Sequence, residues 1–240
     1  MLETGHYILL VVILFVIGLA FAKACDNAGY SVERKKKFLR GYTLLVSLWV
    51  VYLFIIGKSG VIATFELPPR LPQFVILPAF IIIFWFFNAK RFKEIINAFP
   101  IELTVYIQSF RIFVELLILG LYYRGIGPEQ ITFEGNNFDI VAGLTAPIIA
   151  YLVYKRKILG HFEIIVWNIL SIILLTNIVG IFLTLAFKPE VWGYDVTPIS
   201  LEFTEPPFIY IAGVFMPVAV FLHIFSLKKS FVAISKKASK

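Results

Sequence analysis

The chain has 240 residues, of which 60% are hydrophobic and 15% charged, and its net charge is +7. Soluble domains carry about 25% charged residues, so with a mean hydropathy of +0.88 most of this surface must face lipid. The single cysteine, Cys25, excludes an intrachain disulfide and any zinc or haem-attachment spacing. The basic residues lie between long apolar runs, where they set membrane orientation rather than contact nucleic acid.

A helix needs about 20 apolar residues to span the hydrocarbon core, and seven stretches qualify: 6–23, 41–57, 73–89, 101–122, 138–154, 163–187 and 207–227. Runs such as Ile8-Leu9-Leu10-Val11-Val12-Ile13-Leu14 do not alternate apolar with polar residues, which excludes a barrel strand. The expected fold is an all-α membrane protein, a single seven-helix domain. The first span lacks a basic stretch ahead of it, so it is read as a retained helix rather than a cleaved leader.

Orientation follows from the loops. Lys23, Arg34 to Lys37, Arg40, Lys90, Arg91, Lys93, Lys155 to Lys157, Lys228, Lys229, Lys236, Lys237 and Lys240 fall on one side. The other side has Lys58, Arg70, Arg124 and Lys188 but collects Glu3, Glu66, Glu129, Glu134, Glu190, Asp195, Glu202 and Glu205. The N-terminus is therefore expected outside and the C-terminus in the cytoplasm.

The second and third outer loops, near 123–137 and 188–206, and the Leu67-Pro68-Pro69-Arg70-Leu71-Pro72 segment of the first are rich in Pro and Gly, so they break helix between spans. Pro78, Pro147 and Pro217 fall within spans, where proline kinks a helix and frees backbone carbonyls.

The fourth span carries polar chemistry. At about 100° per residue, Thr104, Gln108, Arg111, Glu115 and Tyr122 share an arc of roughly 60°. A charged Arg at mid-membrane costs about 2.5 to 3.5 kcal/mol on insertion scales, so Arg111 must face the bundle and find partners. Glu115, one turn away, is the first candidate, with Gln108 completing the pair. Such a pair either fixes helix packing or forms a site for an anion or a proton. Asn168 and Ser171 share one face of the sixth span, and Asn177 on another face lies at a depth where it meets Arg111 if spans four and six are neighbours.

Asn136 or Asn137 is placed to cap the fifth helix, and Asp139 sits in its first turn beside the positive helix end, at the outer mouth of any cavity leading to Glu115. His6, His161 and His223 are read as interfacial anchors at span ends, with no third ligand for a metal. The seventh span has no lysine for a retinal Schiff base, and no cofactor motif is present.

The segments Gln108-Ser109-Phe110-Arg111-Ile112-Phe113-Val114-Glu115 and Thr132-Phe133-Glu134-Gly135-Asn136-Asn137-Phe138-Asp139 resemble those of a family of uncharacterised bacterial membrane proteins. Ala142-Gly143-Leu144-Thr145-Ala146-Pro147, Leu67-Pro68-Pro69-Arg70 and Trp167-Asn168 fit the same resemblance. It implies a bacterial inner-membrane location and one seven-helix domain, and no activity.

Three functions suit these features. One is a small-molecule, anion or proton-coupled transporter or carrier using Arg111, Glu115, Gln108, Asp139 and Asn177. The second is a non-transporting sensor or assembly subunit with a structural charge pair, its basic loops on anionic lipid. The third is an intramembrane enzyme acting on lipid through paired carboxylates.

Overall fold

The computed structural model describes every residue except Tyr194, Asp195, Thr197, Ser239 and Lys240, and it contains helices but no strand among the described residues. Asp195 and Lys240, two of the charges read for orientation, therefore lie outside the described residues. Five helices are long and apolar enough to cross a membrane: Leu2–Asn27 (α1), Val32–Lys58 (α2), Ile101–Tyr123, His161–Phe187 (α8) and Ile211–Ser235. A sixth candidate is the pair Pro72–Asn88 and Lys90–Ala98, bent by 68°. These comprise α3 (Leu77–Asn88) and the short α4 (Lys93–Ala98). The break falls at Ala89, whose ψ of 120° is extended. The stretch expected as a fifth span is shorter: α7 (Ile140–Ala150) continues as a π-helical turn to Lys155.

Two boundaries differ from expectation for a common reason. α2 begins at Val32, with Ser31 Oγ accepting from the Arg34 amide, so Arg34 to Lys37 and Arg40 are helical. α9 (Met216–Ala238) likewise runs past Lys228 and Lys229. Hydropathy marks where lipid ends, whereas Lys and Arg are good helix formers and let the helix continue into the interface.

α1 shows how an all-apolar run acquires two faces. Leu9, Leu10, Ile13, Ile17 and Phe21 are buried, while Ile8, Val11, Val12, Phe15 and Leu19 are exposed in a band suited to lipid. The buried side meets a cluster of rings in which Phe99 stacks on Phe225 at 4.4 Å and Phe21 meets Phe99 edge-on at 5.2 Å. Lipid tails are as apolar as these rings, so packing rather than escape from water holds the helices together.

The prolines explain the docking of α2. Pro217 and Pro78 lack the N–H that would reach the carbonyls of Gly213 and Phe74 four residues back. Both carbonyls find donors on α2: Trp49 Nε1 donates to Gly213 O at 2.8 Å and the Tyr52 hydroxyl to Phe74 O at 2.7 Å. The two rings stack at 5.2 Å. Trp49→Phe is expected to lower stability by about 1–3 kcal/mol, the cost of an orphaned buried carbonyl. Reversible unfolding in mixed micelles measures it, and an unchanged midpoint would remove this bond from the account.

The loops separate into two ends. At one, Arg34 pairs with Glu94 at 2.7 Å, Asn27 donates to Ala98 O, and the Lys229 ammonium donates to Asn97 O and Phe99 O. At the other, Lys58 pairs with Glu205 and Arg124 with Glu3. The first is rich in cations and the second in carboxylates, as the sequence predicts.

Candidate functional site

The helix Ile101–Tyr123 is built from α5 (Ile101–Tyr106), a 3-10 turn at Ile107–Ser109 and α6 (Phe110–Tyr123). Its polar stripe faces inward: Thr104, Gln108, Arg111 and Glu115 are buried, whereas Phe113 and Leu116 on the opposite side are exposed. Helical periodicity thus predicts the buried face as far as Glu115, while Tyr122, the last member of the stripe, is only half-buried.

The partners differ from expectation. Arg111 forms a two-pronged ion pair with Asp139, Nε to Oδ2 at 2.7 Å and Nη2 to Oδ1. Its Nη1 reaches His223 Nε2 at 3.0 Å, and Nη2 also lies 3.4 Å from Ser171 O. All three guanidinium nitrogens are engaged within the protein. A guanidinium can only donate, so His223 Nε2 accepts and the ring proton sits on Nδ1, 2.8 Å from Asn168 Oδ1. The Asn168 amide then donates to Ser226 Oγ at 2.9 Å and Ile164 O at 2.7 Å. Helices α6, α7, α8 and α9 are joined through this one chain of polar groups.

Glu115 takes a different partner. The Asn137 amide donates to Glu115 Oε2 and to Ile131 O, and Asn137 Oδ1 accepts the Asp139 N–H at 2.9 Å. Asn137 thereby closes a turn on the residue two positions on, so neither it nor Asn136 caps α7 by the expected bond. No side chain caps that helix, and Asp139 immediately precedes its first residue, where the partial positive charge of the helix end favours a carboxylate.

The segment before α7 is non-helical from Thr132 to Asp139, yet Thr132, Asn137 and Asp139 are buried. Irregular backbone that carries buried polar side chains needs its hydrogen-bonding groups satisfied within the protein. Gly135 permits the fold-back, since a Cβ there would lie 2.3 Å from Glu129 O. Gly143 lets α7 approach α6 closely, because a Cβ there would lie 2.9 Å from the Ile112 amide nitrogen. That approach sets Asp139 within reach of the Arg111 fork.

Two expected members sit elsewhere. Gln108 donates to Ala219 O at 3.0 Å and holds α9 rather than the ion pair. Asn177 is exposed and donates to Asn136 O at 2.8 Å, tying α8 to the loop without meeting Arg111. Conversely, His223 is fully buried in the cluster and not an interfacial anchor. His6 is buried too, edge-on to Phe208 at 5.1 Å, and His161 lies beside Tyr154. The spacing of Asn168 with Ser171 and of His223 with Ser226 was the available signal for the missed members, but no sequence feature states that these two faces meet.

Arg111, Glu115 and Asp139 line a cavity of about 150 Å³ whose other walls are mostly apolar, including Phe110, Phe182, Phe203, Phe208 and Phe215. The three charged groups are 2%, 2% and 3% exposed. The one guanidinium is paired with Asp139, and Glu115, bonded to the Asn137 amide, has no cation in direct contact, so the cluster holds two carboxyl groups to one positive charge. Among the described residues no group of three or more His, Cys, Asp or Glu is disposed to hold a metal ion.

The fold and site define the class: an all-helical, membrane-embedded protein with a buried charged cluster in the wall of a mostly apolar cavity. Comparison with protein-family models, curated proteins and solved structures finds no match.

Proposed function

We propose that the protein is a proton-coupled carrier of a small, largely apolar organic cation in the bacterial inner membrane, with Glu115 as the group that binds either the proton or the cation. In this reading it crosses the bilayer seven times, the cation-rich end and C-terminus cytoplasmic and the N-terminus outside, in keeping with the positive-inside tendency. α7 and the partly buried non-helical segment before it together make one of the crossings.

The observation that carries the reading is the charge count, two buried carboxyl groups to one guanidinium beside a cavity. An uncompensated charge in apolar surroundings is costly, and a proton or small cation at Glu115 removes it. Arg111 and Asp139 occupy each other, so an anion at Arg111 must first displace Asp139. Glu115 is held at one oxygen by Asn137 and exchanges its proton at the other. A helix that starts within the bundle beside such a site is the arrangement used by secondary transporters with broken helices.

Infrared difference spectra across a pH jump, taken on the protein in lipid nanodiscs, test the proton site. A protonated-carboxyl carbonyl band is expected in the wild type and absent from Glu115→Gln; a band that persists in that variant overturns the assignment. Proteoliposomes with a trapped pH dye test carriage, using the membrane-impermeant ions benzyltrimethylammonium and benzenesulfonate as probes. Proton movement with the cation and not the anion is expected, lost in Glu115→Gln. If the band is present and neither ion moves protons, the carrier reading fails and a non-transporting sensor or assembly subunit takes its place, a role that the saturated Arg111 fork also suits.

A further inference from the structure

A second and larger cavity, about 570 Å³, lies away from the charged cluster in a crevice between α2 and α3, with α1 and the start of the last helix as its floor. Its volume is within the about 300–1,000 Å³ of cavities that hold organic ligands. The walls are aliphatic and aromatic, among them Phe21, Val46, Ile82, Phe86 and Val218. Its polar donors are already used: the Tyr42 hydroxyl donates to Leu14 O at 2.6 Å, and Trp49 Nε1 to Gly213 O. The crevice therefore offers apolar contact and no side-chain donor along its length.

One end is different. Lys37 on α2 and Arg91 just beyond α3 both line the crevice where it reaches the cation-rich end. Nearby Arg34 and Lys35 are matched by Glu94 and Asp26. Among the described residues, Lys37 and Arg91 have no carboxylate partner within ion-pair distance. Arg91 is held in place by stacking, 4.4 Å over the Trp85 ring and 4.6 Å over Phe92. A fixed guanidinium with free donors matches phosphate geometry, and the lysine adds a second positive charge.

The length also fits one leaflet. The lining on α2 runs from Lys37 to Val50, about 20 Å along a helix, against a half-thickness of about 15 Å for the hydrocarbon core plus its interface. None of the α2 residues that line the crevice is fully buried, and Lys37, Gly41 and Leu45 among them are exposed.

We propose that this crevice is a binding site for one anionic phospholipid of the cation-side leaflet, its acyl chain between α2 and α3 and its phosphate on Lys37 and Arg91. The lipid completes the packing that the protein leaves open and fastens α2 to the bundle. This site is independent of the carrier reading of Glu115.

Photo-crosslinking tests it. The protein is placed in phosphatidylcholine vesicles containing a trace of diazirine-tailed phosphatidylglycerol or, in parallel, diazirine-tailed phosphatidylcholine, and adducts are mapped by peptide mass spectrometry. Adducts on Val46, Ile82 and Val218 are expected to favour phosphatidylglycerol, by about fivefold for each cation engaged at a membrane surface. Lys37→Ala with Arg91→Ala should abolish the preference and leave adducts on lipid-facing Val11 and Phe15 unchanged, which reports an intact fold. Ile82→Trp, which fills the crevice and keeps both cations, should remove the adducts on Val46 and Val218 from either lipid. Equal labelling by the two lipids, a preference that survives the double variant, or crevice residues crosslinked to a second copy of the chain would each overturn the proposal.

Discussion

Asp139→Ala is expected to cost about 3–5 kcal/mol of stability, the usual penalty for removing one partner of a buried ion pair, and to be the most damaging single change in the cluster. The substitution leaves Arg111, 2% exposed, with no acceptor at Nε, Ser171 O at 3.4 Å as the acceptor of Nη2 and His223 as that of Nη1. Glu115→Gln should cost far less, because Glu115 is bonded to Asn137 and is not the direct partner of Arg111. The contrast decides between the two pairings, since a direct Arg111 to Glu115 bridge would reverse the order. Unfolding in mixed micelles, followed by near-ultraviolet circular dichroism, gives both values. The double variant Arg111→Met with Asp139→Leu should recover most of the loss, since apolar residues of similar volume replace buried pairs at little cost. Failure of that rescue would mean that the pair holds its surroundings through more than its own charges.

Asn137→Leu should open the segment before α7. It removes one amide that serves Glu115, Ile131 O and the Asp139 N–H together. Each buried polar group orphaned this way costs about 1–3 kcal/mol, so a total of several kcal/mol is expected, concentrated in one place. Hydrogen exchange is the suitable measurement: protection of the amides from Thr132 to Gly143 should fall by about a hundredfold or more, 1.4 kcal/mol corresponding to each factor of ten, while α1 and α8 remain protected. If protection is lost uniformly, the segment is not a local unit and Asn137 supports the whole bundle.

Both predictions include a bond between groups far apart in the sequence, Arg111 to Asp139 and Asn137 to Glu115, and there the residues alone were least informative. Arg111 and Glu115 are one turn apart on a polar face, so local spacing nominates them as a pair. The long guanidinium instead reaches across to α7, because Gly143 lets the two helices approach and places Asp139 beyond it. His223 illustrates the same limit. Its place near the end of the seventh span suggested the interface, but the helix continues through the lysines to Ala238 and the ring is fully buried. Pro78 and Pro217 announced freed carbonyls, while the identity of their donors, Tyr52 and Trp49 on another helix, depended on how α2 docks.

The sequence by itself determined the solvent of this protein, its helical class, the face of the fourth helix that turns inward, and the division of charges between two ends. Those properties depend on composition and on a 3.6-residue period, and both are local. The tertiary structure alone decided that α7 starts inside the bundle, that Asp139 rather than Glu115 neutralises Arg111, and that Glu115 is left over beside a cavity. These outcomes depend on which helices are neighbours and how closely they pack, and in lipid that is settled by small residues and interhelical hydrogen bonds, whose partners no local period encodes.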